Sequence, residues 1–464
     1  MRLDSPASLS KGKRSTRSAL LIWAGMPDTP SRPQLVSTGR AATALALLAI
    51  LRLALHAAAW PAWEGPDEPF HQARAEAWAA SPLGPGAAEA TVPAALVSAV
   101  TARPCGGAMA RAFGCPPFDG SGALFGAFRE ATSRPAAGAY PNYETHQPPL
   151  WYVLSGWLLR PVVSFGASPE ARLLALRFAS VLAVALALLG PIRKLAERRG
   201  AGLLAVVSAV LLLPAGAESF ARASNDALVF LLAAAAVERL DRDEPGRLLP
   251  VLLAAGPLVK LTFLPVAAFA VVGLARRRAW RLALLSAAAS ALVVPVQALR
   301  GWAWGGTYEL NRTAGALGES LGESGLGFAR SLYTFAKTTF WIGGWSFFRA
   351  PVALVAAYFA LFLLAAALLK PVAPARRLLP HLAAFAVAAA GFAVLAVGNR
   401  RLFGAWGGLG GWYAWNWLPW LAVAADDLLE RRSDGARRLL LAALALFLAV
   451  ANAAFVAAAA RLYG

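Results

Sequence analysis

Apolar runs near the length needed to cross a bilayer recur along almost the whole chain. They cover about residues 41–60, 170–192, 201–216, 225–240, 247–259, 261–275, 281–300, 351–370, 379–397, 412–426 and 437–460. Roughly 20 apolar residues span hydrocarbon as a helix, and a helix satisfies its own backbone polar groups there. With 58% hydrophobic residues and a mean hydropathy of +0.55, the chain is too apolar for an ordinary soluble domain. The expected fold is all-α, a polytopic transmembrane bundle of about 11–13 helices. Residues 41–464 read as a single domain with outer loops at 61–148 and 301–350. Residues 150–165 form a shorter candidate, expected to be partial or re-entrant so that the charge count below stays consistent.

The formal net charge of +19 sits in short connectors between apolar runs, such as Arg193-Lys194 with Arg198-Arg199, Arg276-Arg277-Arg278 with Arg281, and Arg376-Arg377. That distribution is the positive-inside pattern and sets these connectors in the cytoplasm. No aromatic-studded basic platform accompanies the charge, so nucleic acid is not an expected partner. Residues 1–40, with Lys11, Lys13, Arg14 and Arg17 among serines and prolines, read as a disordered basic cytoplasmic tail. The first loop then lies outside, together with Ser219–Asp226, the turn around Lys260, the loop 301–350 and the loop 398–411.

The outer groups include the chemically richest stretch of the chain, Trp63-Glu64-Gly65-Pro66-Asp67-Glu68-Pro69-Phe70-His71. Asp67 before Glu68-Pro69 suits a helix cap, which needs one acid. Two adjacent acids with His71 one turn on suit instead a general base for a hydroxyl proton, or ligands for a divalent cation. Tyr143-Glu144-Thr145-His146-Gln147-Pro148-Pro149 closes the same loop. Its aromatic residues fit an interfacial anchor, which leaves Glu144 and His146 unexplained. Asn225 and Asp226 interrupt two apolar runs and suit either a helix cap or a second polar cluster. Lys260 is an isolated cation between apolar segments, suited to snorkelling or to neutralising a phosphate. Arg400 and Arg401 offer guanidinium forks for phosphate oxygens. Cys105 and Cys115 share the first outer loop, where a disulfide would stiffen it; the alternative is two unpaired small residues. Asp241-Arg242-Asp243 has the D-x-D spacing of soluble nucleotide-sugar enzymes but falls in a cytoplasmic connector, and Asn311-Arg312-Thr313 matches a glycosylation sequon. No Walker loop or dinucleotide fingerprint is present.

Taken in order, Pro-Asp-Glu-Pro-x-His after the first helix, Glu-x-His-x-Pro-Pro-Leu-x-Tyr, Ser-Asn-Asp before a helix and Lys-Leu-Thr at a later one resemble the GT-C superfamily, with Phe340-Trp341-Ile342-Gly343-Gly344-Trp345 similar to its later loop. These are integral-membrane glycosyltransferases using polyprenyl-phosphate sugars, among them protein O-mannosyltransferases, aminoarabinose transferases and uncharacterised bacterial relatives. The resemblance implies a catalytic base at Asp67 or Glu68, and lipid-phosphate contacts at Lys260 and at Arg400 or Arg401. His71, Glu144, His146, Asn225 and Asp226 would position acceptor or sugar, or hold a divalent cation if one is used; no other cofactor is implied. It further implies a bacterial inner-membrane protein with its site facing outward, taking a lipid-linked sugar donor and a cell-envelope acceptor. Where relatives carry Gly-Arg-Tyr near the C-terminus, this chain has Gly411-Trp412-Tyr413, one cation fewer. The rival readings are a lipid-linked sugar flippase and a non-catalytic membrane relative. Transporters often carry internal repeats, which this sequence does not display.

Overall fold

The computed structural model describes residues 36–104, 114–115, 140–304, 327–344, 348–371, 375–403, 410–431 and 434–463. Most of the expected tail, part of each outer loop, the sequon at 311–313 and Cys105 lie outside them. Cys115 is disulfide-bonded.

Among the described residues the architecture is helical, as its sequence demands. An uninterrupted Ala/Leu-rich run gives α1 (Val36–Ala59), which stops just before Pro61. The connector after it carries α2 (Glu68–Ala80) and α3 (Ala94–Thr101). A short antiparallel pair, β1 (Thr91–Val92) with β2 (Tyr140–Pro141), ties two distant parts of this connector together. Next come α4 (Leu150–Ser164) and α5 (Pro169–Ala187). The second is well started, with Pro169 in its first turn and the Ser168 hydroxyl accepting from the Ala171 N–H at 3.3 Å. Where Pro191 removes a backbone donor, the helix takes a π turn at Leu188–Ile192 and continues as α6 (Arg193–Arg199).

Proline also corrects one expected span. The run at 201–216 is broken into α7 (Gly202–Leu211) and α8 (Pro214–Phe220), which meet at 82°. Pro214 cannot continue the preceding ladder, and the freed Ala215 N–H donates instead to the Phe340 carbonyl at 3.0 Å. The bend brings α8, buried along its length, beneath the polar connectors. The rest of the chain supplies α9 (Asp226–Leu240), α10 (Leu248–Val259), α11 (Leu264–Arg276), α12 (Trp280–Ala291), α13 (Val293–Trp304), α14 (Gly327–Thr338), α15 (Val352–Leu368), α16 (Ala375–Phe403), α17 (Leu418–Leu428) and α18 (Asp434–Tyr463).

Among the described residues, four helical segments are long and apolar enough to cross a membrane, Gly39–Ala59, Pro169–Arg199, Trp280–Leu299 and Leu439–Tyr463, or five if the bent α7–α8 pair is one span. That is fewer than the sequence suggests, because helices such as Leu248–Val259 and Val352–Leu368 are apolar yet shorter. Residues 150–165 are indeed a short helix, lying along α2. The expected loop at 398–411 begins later than expected, since α16 runs on to Phe403.

Behind the α1–α2 connector an aromatic cluster joins distant elements. Trp60 stacks on Phe455 at 5.4 Å and meets Tyr463 edge-on at 5.2 Å, while Trp341 packs edge-on against Phe455 at 5.0 Å. Such pairs hold their geometry beyond what area burial alone gives.

The close approach of α4 to α2 depends on Gly156, where an added Cβ would stand 2.6 Å from Trp78 Cβ and 2.8 Å from the Ala79 backbone nitrogen. Gly156→Ala is expected to cost about 1–3 kcal/mol, because backbone cannot give way as a side chain would. Gly190→Ala, whose Cβ meets nothing within 4 Å, should stay within about 0.5 kcal/mol of wild type. Thermal unfolding of the two variants in detergent checks the contrast.

Candidate functional site

Five segments meet at one end of the helices: residues 60–71, 142–152, 218–226, 259–262 and 411–417. The anchor is Arg177, deep in α5 and buried. Its Nε donates to Glu68 Oε1 at 2.7 Å and its Nη2 to Glu68 Oε2 at 2.5 Å. The remaining N–H groups reach the carbonyls of Ala57, Trp60 and Pro61 at 3.2, 2.7 and 2.8 Å. Ala57 lies in the last turn of α1, whose final carbonyls lack helical partners and whose dipole favours a cation, and Trp60 and Pro61 follow it directly. Glu68 accepts two further bonds, from the Gly65 N–H at 3.1 Å and the Ala223 N–H at 3.0 Å. Four donors occupy its two oxygens.

The neighbouring acid is treated differently. Asp67 lies in the left-handed region at φ 66° and makes no side-chain cap bond to α2, so the capping role open to it in sequence is not taken. An aspartate tolerates this conformation better than most residues, at some cost in strain. The turn leaves the Asp67 side chain half-buried beside His71 and Glu144, and donor atoms of the three lie within 4.8 Å of one another. Tyr152 joins them, its hydroxyl 2.8 Å from His71 Nδ1 and donating to Glu144 Oε2 at 3.3 Å. Arg74 lies over the Tyr152 ring at 3.8 Å and donates to the carbonyls of Glu144 and Gln147 at 2.8 and 3.0 Å. Asn142 fixes the 143–146 turn, donating to the Phe70 carbonyl at 2.9 Å and accepting from the Glu144 N–H at 3.0 Å.

Burial, reinforced by the Glu144 charge, pushes the Asp67 carboxyl up to about 7 against the opposing pull of Arg222 and Lys260. Burial also raises Glu144, although Lys260 and Arg74 favour its ionised form. Burial and the same two cations, Lys260 and Arg222, hold His71 well below the ordinary histidine range, so its ring is neutral at pH 7.

Next to this group stands Asp226, buried at the start of α9. Its Oδ1 accepts from Lys260 Nζ at 2.5 Å and Asn416 Nδ2 at 3.0 Å. Its Oδ2 accepts from Arg222 Nη2 at 2.6 Å and the Ser224 hydroxyl at 3.3 Å. Lys260 also lies 4.9 Å from the centre of the Tyr413 ring. Arg222 reaches on to the Pro66 carbonyl at 3.3 Å, and Asn225 donates to the Val259 carbonyl at 3.3 Å. One carboxylate thus serves two cations beside Asp67. Neither Asn225 nor Asp226 caps α9 through its side chain.

The structure therefore gathers Asp67, His71, Glu144, Asp226 and Lys260, with Asn225 at the rim, and commits Glu68 to Arg177. His146 is turned outward, its ring against Gln147 at 3.3 Å, and stands apart from the group. Arg400 and Arg401 fall in the last turn of α16, and their side chains lie outside the described residues. Asp241 of the D-x-D is held by Arg198 at 3.0 Å and Arg199 at 2.7 Å. It follows α9, whose 15 residues place it roughly 22 Å from Asp226.

Sequence reading passed over several residues. Arg177 had a signal, an arginine inside an apolar run, which costs too much to be idle. So did Glu218 in α8, whose carboxylate accepts the consecutive N–H groups of Ile342, Gly343 and Gly344 and so holds the Phe340–Gly344 loop. Tyr152 closed a quoted motif and Arg222 lay within the Ser219–Asp226 segment, neither with a role. Asn416, in an aromatic stretch, gave no sign. Comparison with protein-family models, curated proteins and solved structures produced no match.

Removing Arg177 leaves Glu68 buried without its counter-charge. Arg177→Met is expected to destabilise the protein by about 3–5 kcal/mol, measured as a lower midpoint in thermal or denaturant unfolding.

Proposed function

We propose that this chain is a GT-C-type glycosyltransferase of the bacterial inner membrane. In this reading it moves a sugar from a polyprenyl-phosphate donor to a hydroxyl of a cell-envelope acceptor at the outward face. The observation that carries the proposal is the convergence, at one end of a bundle with apolar spans, of a half-buried acid and two cations. Asp67 supplies the acid, and Lys260 and Arg222, which share Asp226, supply the cations. Glu68 is the poorer candidate base, since four donors fill its oxygens.

In the proposed reaction the acceptor hydroxyl gives its proton to Asp67 as its oxygen attacks the anomeric carbon from the side opposite the phosphate. The bond between that carbon and the phosphate oxygen breaks, its electron pair leaving with the phosphate, and the configuration inverts. Lys260 and Arg222 offset the charge that collects on the departing phosphate. Because the leaving group is already an acidic phosphate, one base suffices and no general acid is required, unlike glycoside hydrolysis. Asp67 then returns its proton to water on its exposed side.

The test uses purified full-length protein, a labelled polyprenyl-phosphate sugar and envelope extract as acceptor. Wild type is expected to transfer label. Asp67→Asn should lower the rate by about 10²–10⁴, and Lys260→Met by about 10²–10³. Transfer that survives Asp67→Asn rejects the assigned base. Movement of the lipid-linked sugar across vesicles without transfer would instead establish the flippase reading.

A further inference from the structure

The group around Asp67 has a property that a single general base does not need. Asp67, His71 and Glu144 come from a left-handed turn, the first turns of α2 and a 3₁₀ turn more than 70 positions downstream. They nevertheless bring one imidazole and two carboxylates to within 4.8 Å of each other. Donors bound at about 2.1 Å around a tetrahedral ion stand about 3.4 Å apart, so side-chain rotation of about an ångström closes the set.

We infer that Asp67, His71 and Glu144 form a binding site for one first-row divalent transition-metal ion. An imidazole beside two carboxylates favours Zn²⁺ or Mn²⁺ over Mg²⁺ or Ca²⁺, which take oxygen ligands almost throughout. A layer that orients the ligands is present as well. The Tyr152 hydroxyl stands at 2.8 Å from one ring nitrogen of His71 and 3.3 Å from Glu144, leaving the other nitrogen for a metal. Arg74 in turn packs on the Tyr152 ring. Charge permits occupancy. Lys260 and Arg222 are both engaged by Asp226, and the two remaining carboxylates balance a divalent ion.

Three protein ligands leave a coordination position open, the arrangement of catalytic rather than structural sites. Asp67 is the half-exposed member, so that position faces the way by which an acceptor enters. An ion held there would polarise a bound hydroxyl. This assignment deepens the proposed transfer reaction but is tested without it.

Detergent-purified protein is stripped with chelator, loaded with Zn²⁺, desalted and assayed for metal by plasma emission; Co²⁺ loading provides an optical readout. Wild type should retain about one Zn²⁺ per chain and show the visible d–d bands of histidine-containing Co²⁺ coordination. His71→Ala and Glu144→Gln should lose it, whereas His146→Ala should bind as wild type does. Tyr152→Phe keeps all three ligands and should weaken binding by about 10-fold, which guards against loss through misfolding. Wild type that retains no metal, or ligand variants that retain it fully, would overturn the inference. Sugar transfer by wild type that retains no metal would overturn it while sparing the proposed function. Bound metal without transfer would do the reverse.

Discussion

The ion pair between Arg177 and Glu68 is the interaction on which the rest of this end of the molecule depends. A guanidinium has five N–H groups, and here each is spent, three on the end of α1 and its connector and two on Glu68. Glu68 opens α2, and its remaining acceptor capacity holds Gly65 and Ala223. One buried pair therefore ties the end of α1 to the start of α2 and to the segment ahead of Asp226. Burying two charges is costly, and replacing such a pair by apolar residues is often no worse for stability. Its value here is positional, since no apolar contact would set four segments in register.

Two acids adjacent in sequence are given opposite fates by this arrangement. Glu68 is saturated and points into the protein, and Asp67 is turned the other way by its left-handed backbone. The Asp226 group makes a parallel division among cations, holding Lys260 and Arg222 on one carboxylate without quenching both. The site end is thus built from groups whose charges nearly cancel in sum but are separated in space, which is how a site retains both proton-accepting and anion-attracting ground.

Much of the helical layout was legible in the sequence, because an uninterrupted apolar run has few alternatives to a helix. The limits came from proline and length. Pro214 turned an apparent span through 82°, and several apolar stretches became helices too short to cross alone. The site was legible in its parts and not in its pairings. Asp67, His71, Glu144, Asp226 and Lys260 stand out as ionisable residues beside apolar runs. The choice between Asp67 and Glu68 rests on Arg177, 109 positions away, and nothing local to Asp-Glu-Pro announces that partner. Asn416, which completes the Asp226 shell from 190 positions away, has a side chain that could serve anywhere. His146 shows the converse, a conspicuous residue whose ring faces outward from the group.

The spacing of the pairs around Asp226 also sets which of them can form early. Arg222 and Asp226 are four residues apart, so one short segment carries both members of that pair. Lys260 lies 34 residues later, beyond the end of α10, so its bond to Asp226 needs α10 packed against α9. The first pair is a local contact, and the second reports that the two helices have docked.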